Sequence, residues 1–249
     1  MNFVLFPLKL VLFADDKNSP YVLEIMDSLL DLQREGLVLS VSGLDLPTEV
    51  ISNVCADISP YLLDYNQFSC NVIDQSRLQK YQSLSRDHQC KMLISDPLLG
   101  GLLANEYLHN LKEPSLPKLD FGQRKGLKTI RAWAEQMEEN YWYAYRTRAL
   151  GALHRIAAKY EVEISDVVMR WNLELDGVGS IVDNALFRGG EDRFLEPRRL
   201  RNSFTFSLDE DDRRIIKELA QLGTTGIKDA GMNFEDAASF LLENQSLWL

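Results

Sequence analysis

Short apolar segments alternate with helix-patterned segments along most of this chain. The apolar segments cover residues 8–14, 37–44, 61–69, 91–97 and 177–186, and each has the length of one buried strand. The segments between them have helical spacing of apolar residues, as in "NSPYVLEIMDSLLDLQREG". Because parallel strands need a crossover connection, the alternation predicts an α/β fold with five parallel strands in chain order.

Helix-boundary residues mark the ends of several predicted helices. Ser19 is placed to cap the first helix, Pro20 suits its first turn, and Gly36 ends it. The segment "RALGALHRIAAKYEVEISDVVMRWNLEL" indicates two helices with a break near residues 162–164 and Ser165 as the second cap. "SLDEDD" predicts the cap of a closing helix.

The chain divides into a main domain and a tail. Residues 1–223 are predicted to form one domain, because a chain of 249 residues is long enough to bury a single sizeable core. Within it, residues 98–143 are predicted to form a long connection rich in Pro, Lys and Gly. Residues 224–249 are predicted to be a C-terminal tail containing a short amphipathic helix, "FEDAASFLLENQSLWL".

Composition narrows the classes of partner and compartment. The net charge of −10 argues against nucleic acid as a partner. The apolar start "MNFVLFPLKLVLF" is too short to span a bilayer and lacks the basic residues and cleavage site of a signal peptide. Cys55, Cys70 and Cys90 are odd in number and lack metal-ligand spacing, so we expect reduced thiols in a cytoplasmic, reducing compartment.

Five segments together resemble the aldo-keto reductases. They are "LLDLQREGLVLSVSGLDLP", "YNQFSCNVID", "MLISDPLLGGLL", "ALHRIAAKYEVEISDVVMRWNLELDGVGSIV" and "FTFSLDEDD", and they span roughly residues 8–222. The resemblance implies a (β/α)8 TIM-type barrel that binds NADP(H) and reduces carbonyls. Because it begins at the family's fourth strand, we expect a partial barrel of about five parallel strands, matching strands four to eight.

The resemblance assigns no catalytic residue. The family protonates the carbonyl with a Tyr tuned by a Lys and an Asp, which lie on strands that precede the matched ones, and it orients the substrate with a His. The position of that His falls at Leu12 or Phe13, whose side chains cannot hydrogen-bond a carbonyl. The histidines of the chain, His88, His109 and His154, are predicted to have structural or surface roles.

The resemblance implies a damaged nicotinamide site. The family's Ser-Asn pair that binds the amide matches Leu44 and Asp45, and its amide-binding Gln matches Gln67, with Asn66 beside it. The aromatic residue that stacks on the nicotinamide matches Ser95, which has no ring. Asp45, Asn66, Gln67 and Ser95 are therefore the candidate cofactor-binding residues.

The phosphate and adenine positions are altered as well. The basic residue that holds the 2′-phosphate falls within Asp183, Asn184 and Ala185, where a carboxylate would repel phosphate. The adenine contacts fall near Arg199 and Leu200. A basic run, Arg188 to Arg201, either compensates or is a solvated helix face. We expect NADP binding to be weak or lost.

Two functions follow as expectations. The first is a non-catalytic binding or scaffold module, with a protein partner or a second copy covering the open edges of the barrel. The alternative is an NADPH-dependent carbonyl oxidoreductase whose N-terminal half is missing from this chain or supplied by another chain. A nonfunctional fragment stays open as a third possibility, and the substrate is not readable from the sequence.

Overall fold

The fold is built on one parallel β-sheet. The computed structural model describes residues 20–59, 62–115, 119–135, 137–182 and 201–223. Within them the sheet has four strands in the order β1-β2-β3-β4, every neighbouring pair being parallel. The strands are β1 (Val41–Leu44), β2 (Leu63–Ser69), β3 (Lys91–Ser95) and β4 (Val178–Val182).

The predicted α/β class and parallel strand order are confirmed. Four of the five predicted strands are in the sheet, each paired with its neighbour in the chain. The predicted first strand, residues 8–14, is outside the described residues, and so is the predicted tail at 224–249. Over the described residues the sheet is an open, four-stranded one and not a closed barrel.

Helices connect the strands. The α-helices are α1 (Pro20–Arg34), α2 (Thr48–Asp57), α3 (Leu78–His88), α4 (Phe121–Ala134), α5 (Tyr141–Ala144), α6 (Gly151–Tyr160), α7 (Ile164–Leu173) and α8 (Glu210–Gln221). A π-helical turn, Tyr145–Leu150, joins α5 to α6. Short 3-10 turns lie at Asn105–Tyr107 and Asn202–Phe204.

Several predicted helix boundaries agree with the structure and one does not. Gly36, at φ 74°, follows the end of α1, and the Asp209 carboxylate caps α8 by accepting from the Asp212 N–H at 2.9 Å. The prediction that Ser165 caps α7 is wrong, because α7 begins at Ile164 after Glu163. The carboxylate of Asp166 accepts from the Glu163 N–H at 3.2 Å, which fixes the start earlier.

The connection predicted at residues 98–143 contains a helix. Asp120 accepts a hydrogen bond from the Gln123 N–H at 2.9 Å, and the Gln123 side chain accepts from the Asp120 N–H at 3.3 Å. This reciprocal pair starts α4 immediately after the Pro- and Lys-rich stretch. The loop thus ends earlier than its composition indicated.

The two faces of the sheet differ in chemistry. On the side that packs against the helices, Phe68, Met92 and Ile94 are buried, and the Phe68 ring stacks on Tyr81 of α3 at 4.1 Å between centroids. Alternation along the strands places the other side chains on the opposite face, which is only partly covered by the described residues. That open face carries Ser42, Tyr65, Gln67, Ser69, Lys91, Ser95 and Ser180 together with Leu44, Leu93 and Val182.

The open face of the sheet is therefore mainly polar over the described residues. Most of its described positions are polar, and polar side chains on a half-covered face need no apolar partner to be stable in water.

The loop after β3 packs backbone to backbone against α4. Leu99 and Gly100 have positive φ, and the Asp96 carboxylate holds the turn by accepting from the Gly100 N–H at 2.7 Å. A methyl group on Gly100 would come within 2.4 Å of the Gly122 backbone, and one on Gly126 within 2.4 Å of the Leu99 carbonyl oxygen. Glycine is therefore required on both sides of this contact.

Replacing Gly100 tests this contact. We expect Gly100→Ala to lower the free energy of unfolding by about 2–5 kcal/mol. This loss is the sum of two costs, one for placing alanine in the left-handed conformation and one for the steric overlap. Gly36→Ala is the matched control, since Gly36 has a similar φ of 74° but no atom within 4 Å of the added methyl group. It should lose only about 1–2 kcal/mol. Equal losses in urea denaturation would show that the overlap is relieved without cost.

Candidate functional site

The candidate site lies where the strands end. Because β1, β2 and β3 are parallel, their carboxyl ends meet at one edge of the sheet, where ligands of α/β proteins usually bind. The residues at this edge include Asp45 after β1, Ser69 at the end of β2 and Ser95 at the end of β3.

Asp45 is joined to its neighbours by backbone and side chain. Its N–H donates to the Gln67 carbonyl at 2.7 Å, and its φ of 53° turns the chain away from β1. Its carboxylate accepts from the Arg77 guanidinium at 2.8 Å, with side chains 32% and 20% exposed respectively. This ion pair ties the loop after β1 to the start of α3.

Asn66 is directed into the protein interior. It is 1% exposed, and its side chain accepts from the Leu46 N–H and donates to the Leu46 carbonyl, both at 3.3 Å. The Tyr81 hydroxyl donates to the same carbonyl at 2.5 Å. Gly43 leaves room for this arrangement, since a methyl group there would meet the Asn66 oxygen at 2.4 Å. The contacts of Asn66 thus hold the loop after β1.

Gln67 and Ser95 lie on the open face of the sheet. Gln67 is half-buried, and its register partners are Leu44 on β1 and Leu93 on β3. Ser95 is half-buried between Ser69 on β2 and Val182 on β4. The structure therefore brings these two positions onto one face, two residues apart along the strands, and separates them from Asn66.

Lys125 is a residue of this edge that the sequence analysis missed. It extends from α4, and its ammonium donates to the Ser69 hydroxyl at 3.3 Å. Its position follows from the close packing of α4 on the loop after β3. The available signal was the spacing of Gly122 and Gly126 on either side of it, because small residues four apart mark a close helix contact.

The thiol nearest this edge is not a nucleophile. Cys70 directly follows β2 and is 1% exposed. Burial, with a further contribution from Asp74, raises the pKa of the Cys70 thiol far above its usual range, and Arg77 only partly opposes this. Cys55 and Cys90 are also buried and unpaired thiols. Because the thiolate is the reactive form, Cys70 stays inert at neutral pH.

Other sequence candidates are remote or undescribed. His109 and His154 are exposed, and His88 is half-exposed at the end of α3. The positions matched to the phosphate and adenine contacts, residues 183–185 and 199–200, are outside the described part of the chain, as are Leu12 and Phe13. Among described residues there is no cluster of His, Cys, Asp and Glu suited to a metal ion.

No helix in the described part of the chain is long and apolar enough to cross a membrane.

Comparisons with known proteins identify a family and similar folds. A model of the aldo/keto reductase family matches residues 2–221. A glycerol dehydrogenase from Gluconobacter oxydans has a similar solved structure, with a TM-score of 0.63 and 16% identity over 87% of this chain. A thermostable aldo-keto reductase solved with the inhibitor epalrestat gives a TM-score of 0.52 and 14% identity over 82% of this chain. No curated protein matches.

The chain spans 59% and 57% of the lengths of these two solved chains. At such low identity the likeness to them shows the fold alone.

The interior role of Asn66 leads to a stability prediction. Asn66→Ala leaves the buried Leu46 N–H without its acceptor, so we expect the free energy of unfolding to fall by about 1–3 kcal/mol. Gln67→Ala is the matched control from the open face and should lose less than about 1 kcal/mol. Guanidinium denaturation of both variants measures the difference. A larger loss for Gln67→Ala would contradict the assignment of the two faces.

Proposed function

The chain belongs to the aldo/keto reductase family, and we propose that it serves as a non-catalytic binding or scaffold module. The family generally uses NADP(H) for carbonyl reduction. The observation that carries the proposal is the ion pair at the carboxyl edge, where Arg77 holds the Asp45 carboxylate. The resemblance matches Ser95, which has no ring, to the residue that stacks on the nicotinamide.

The nicotinamide contacts support weak or lost cofactor binding. An amide of nicotinamide needs both a donor and an acceptor, and a carboxylate supplies only acceptors. The Asp45 carboxylate is moreover engaged by Arg77 at 2.8 Å. The missing ring at Ser95 removes stacking worth about 0.5–1.5 kcal/mol. Of the matched nicotinamide positions, Gln67 alone keeps the family's residue type.

The substitution at the substrate-orienting position supports loss of catalysis. Leu12 or Phe13 stands where the family has a histidine, and neither side chain donates a hydrogen bond. Protonation of a carbonyl oxygen needs a positioned acid, and the family resemblance assigns none to this sequence.

The alternative is an NADPH-dependent carbonyl oxidoreductase completed by another chain. Gln67 favours it, because this amide lies half-buried on the open face beside the carboxyl edge. In that case the second chain would supply the proton donor.

Association is part of the proposed role. Within the described sheet, β1 pairs with β2 alone and β4 with β3 alone, so each has one unpaired side. Unpaired strand edges pair readily with other chains unless they are covered. We therefore propose a protein partner or a second copy at these edges. Light scattering after gel filtration tests the second copy: a monomer of the chain mass that melts cooperatively and binds no apolar dye would exclude it.

Cofactor titration tests the proposed loss of function. We expect NADPH to bind the purified chain with a dissociation constant well above the low micromolar range, and carbonyl reduction to be undetectable. Fluorescence titration measures the first and NADPH consumption the second. A dissociation constant in the low micromolar range would overturn the proposal.

A restoring variant sharpens this test. Ser95→Trp returns a ring to the matched position, so NADPH should bind about 2- to 13-fold more tightly, the range given by the stacking energy. Ser42→Trp is the matched control, since Ser42 is on the open face of β1 but farther from the carboxyl edge. Equal tightening by both variants would mean that the added ring acts nonspecifically.

A further inference from the structure

We propose that Lys125, Ser69 and Ser95 form a binding site for the anionic group of a small molecule, a carboxylate or a phosphate. The inference names the class of ligand that the module takes, and to that extent it rests on the proposed function. The Lys125 ammonium donates a hydrogen bond to the Ser69 hydroxyl, 3.3 Å away at the carboxyl edge of the sheet.

The two serines are neighbours on one face. Ser69 and Ser95 are register partners at the ends of β2 and β3, so their side chains leave the sheet on the same side. Adjacent strands are about 4.8 Å apart, a separation that lets two hydroxyls reach one carboxylate or phosphate group. Both side chains are half-buried. A hydroxyl donates as well as accepts, so each can turn its proton toward an anion.

Lys125 is held in place by the helix that carries it. Gly122 and Gly126 seat α4 directly on the backbone of the loop after β3, and the capping pair at Asp120 fixes its first turn. The lysine stem is thus anchored on a rigid element, and its ammonium reaches across to β2. An anchored cation loses little conformational freedom when a ligand binds.

The ammonium lacks a carboxylate partner among the described residues. Lys125 forms no ion pair among them. The chain carries ten more acidic than basic residues, and several surface cations do form ion pairs, as Arg131 does with Glu113. Its one observed acceptor is the neutral hydroxyl of Ser69. An ammonium has three N–H donors, so at least one is available to a ligand.

The combination of charge and hydroxyls selects the ligand. A half-buried cation gains most from an acceptor that is itself charged, because charge-assisted hydrogen bonds are about twice as strong as neutral ones. The Ser69 hydroxyl at the ammonium and the Ser95 hydroxyl on the neighbouring strand together match the oxygens of a single carboxylate or phosphate. Because the strands end here, the rest of such a ligand would extend over the open face toward Gln67.

Anion titration of the full chain tests the site. The probes are inorganic phosphate and acetate, each added at constant ionic strength against sodium chloride, and the readout is the amide chemical shifts of Ser69, Ser95 and Lys125. We expect saturable shifts with one of the two anions and none with chloride. The anion that saturates at lower concentration identifies the group that the site takes.

Charge-removing variants of α4 provide the decisive comparison. Lys125→Met keeps the length of the stem and removes the charge, so binding should weaken about tenfold or more. Lys128→Met is the matched control, an exposed lysine of the same helix, and should leave the affinity unchanged. Ser95→Ala gives an independent loss that does not touch α4. Equal affinity in Lys125→Met and the natural chain, with both folded, would overturn the proposal, as would saturation by chloride.

The result separates this inference from the proposed function. Tight NADPH binding that persists in Lys125→Met would contradict the proposed function. The anion titration would still decide whether the anion site exists. Weak NADPH binding together with an anion response that ignores Lys125 would leave the proposed function standing and exclude the anion site.

Discussion

The contact of the β3 loop with α4 determines much of the geometry at the carboxyl edge. Gly100 and Gly126 allow two backbones to approach more closely than any side chain would permit. With α4 packed in this way, its residue Lys125 lies within hydrogen-bonding distance of Ser69. A packing requirement of glycine thus sets the position of the one ammonium found at this edge in the described part of the chain.

A second set of constraints is polar and buried. Asn66 and Tyr81 together use both backbone groups of Leu46, so the loop after β1 is fixed from inside the protein. The loop in turn orients Asp45 toward Arg77. The Asp45–Arg77 ion pair therefore depends on a whole turn of backbone that is held from inside the protein.

The strands were predictable because each is a short segment with apolar residues, bounded by helix-patterned segments on both sides. Gly36 was predictable because glycine suits the left-handed conformation after a helix, and the cap of α8 was predictable only to the segment "SLDEDD", in which several residues can cap a helix. The helix α4 was not, since its capping pair at Asp120 follows Pro- and Lys-rich sequence that indicates a loop. The roles of Asn66 and Gln67 were not separable either, because neighbouring strand residues face opposite sides and register alone decides which side is which.

The three buried thiols can report on local opening of the structure. Cys55 lies in α2, Cys70 follows β2, and Cys90 precedes β3. Burial is the main cause that raises the pKa of each thiol, and it raises the pKa of Cys90 to about 12. A thiol shielded and protonated in this way reacts with an alkylating reagent only while its surroundings are transiently open. The relative labelling rates of the three cysteines would therefore rank the local opening of a helix, a strand end and a strand start, without any added probe.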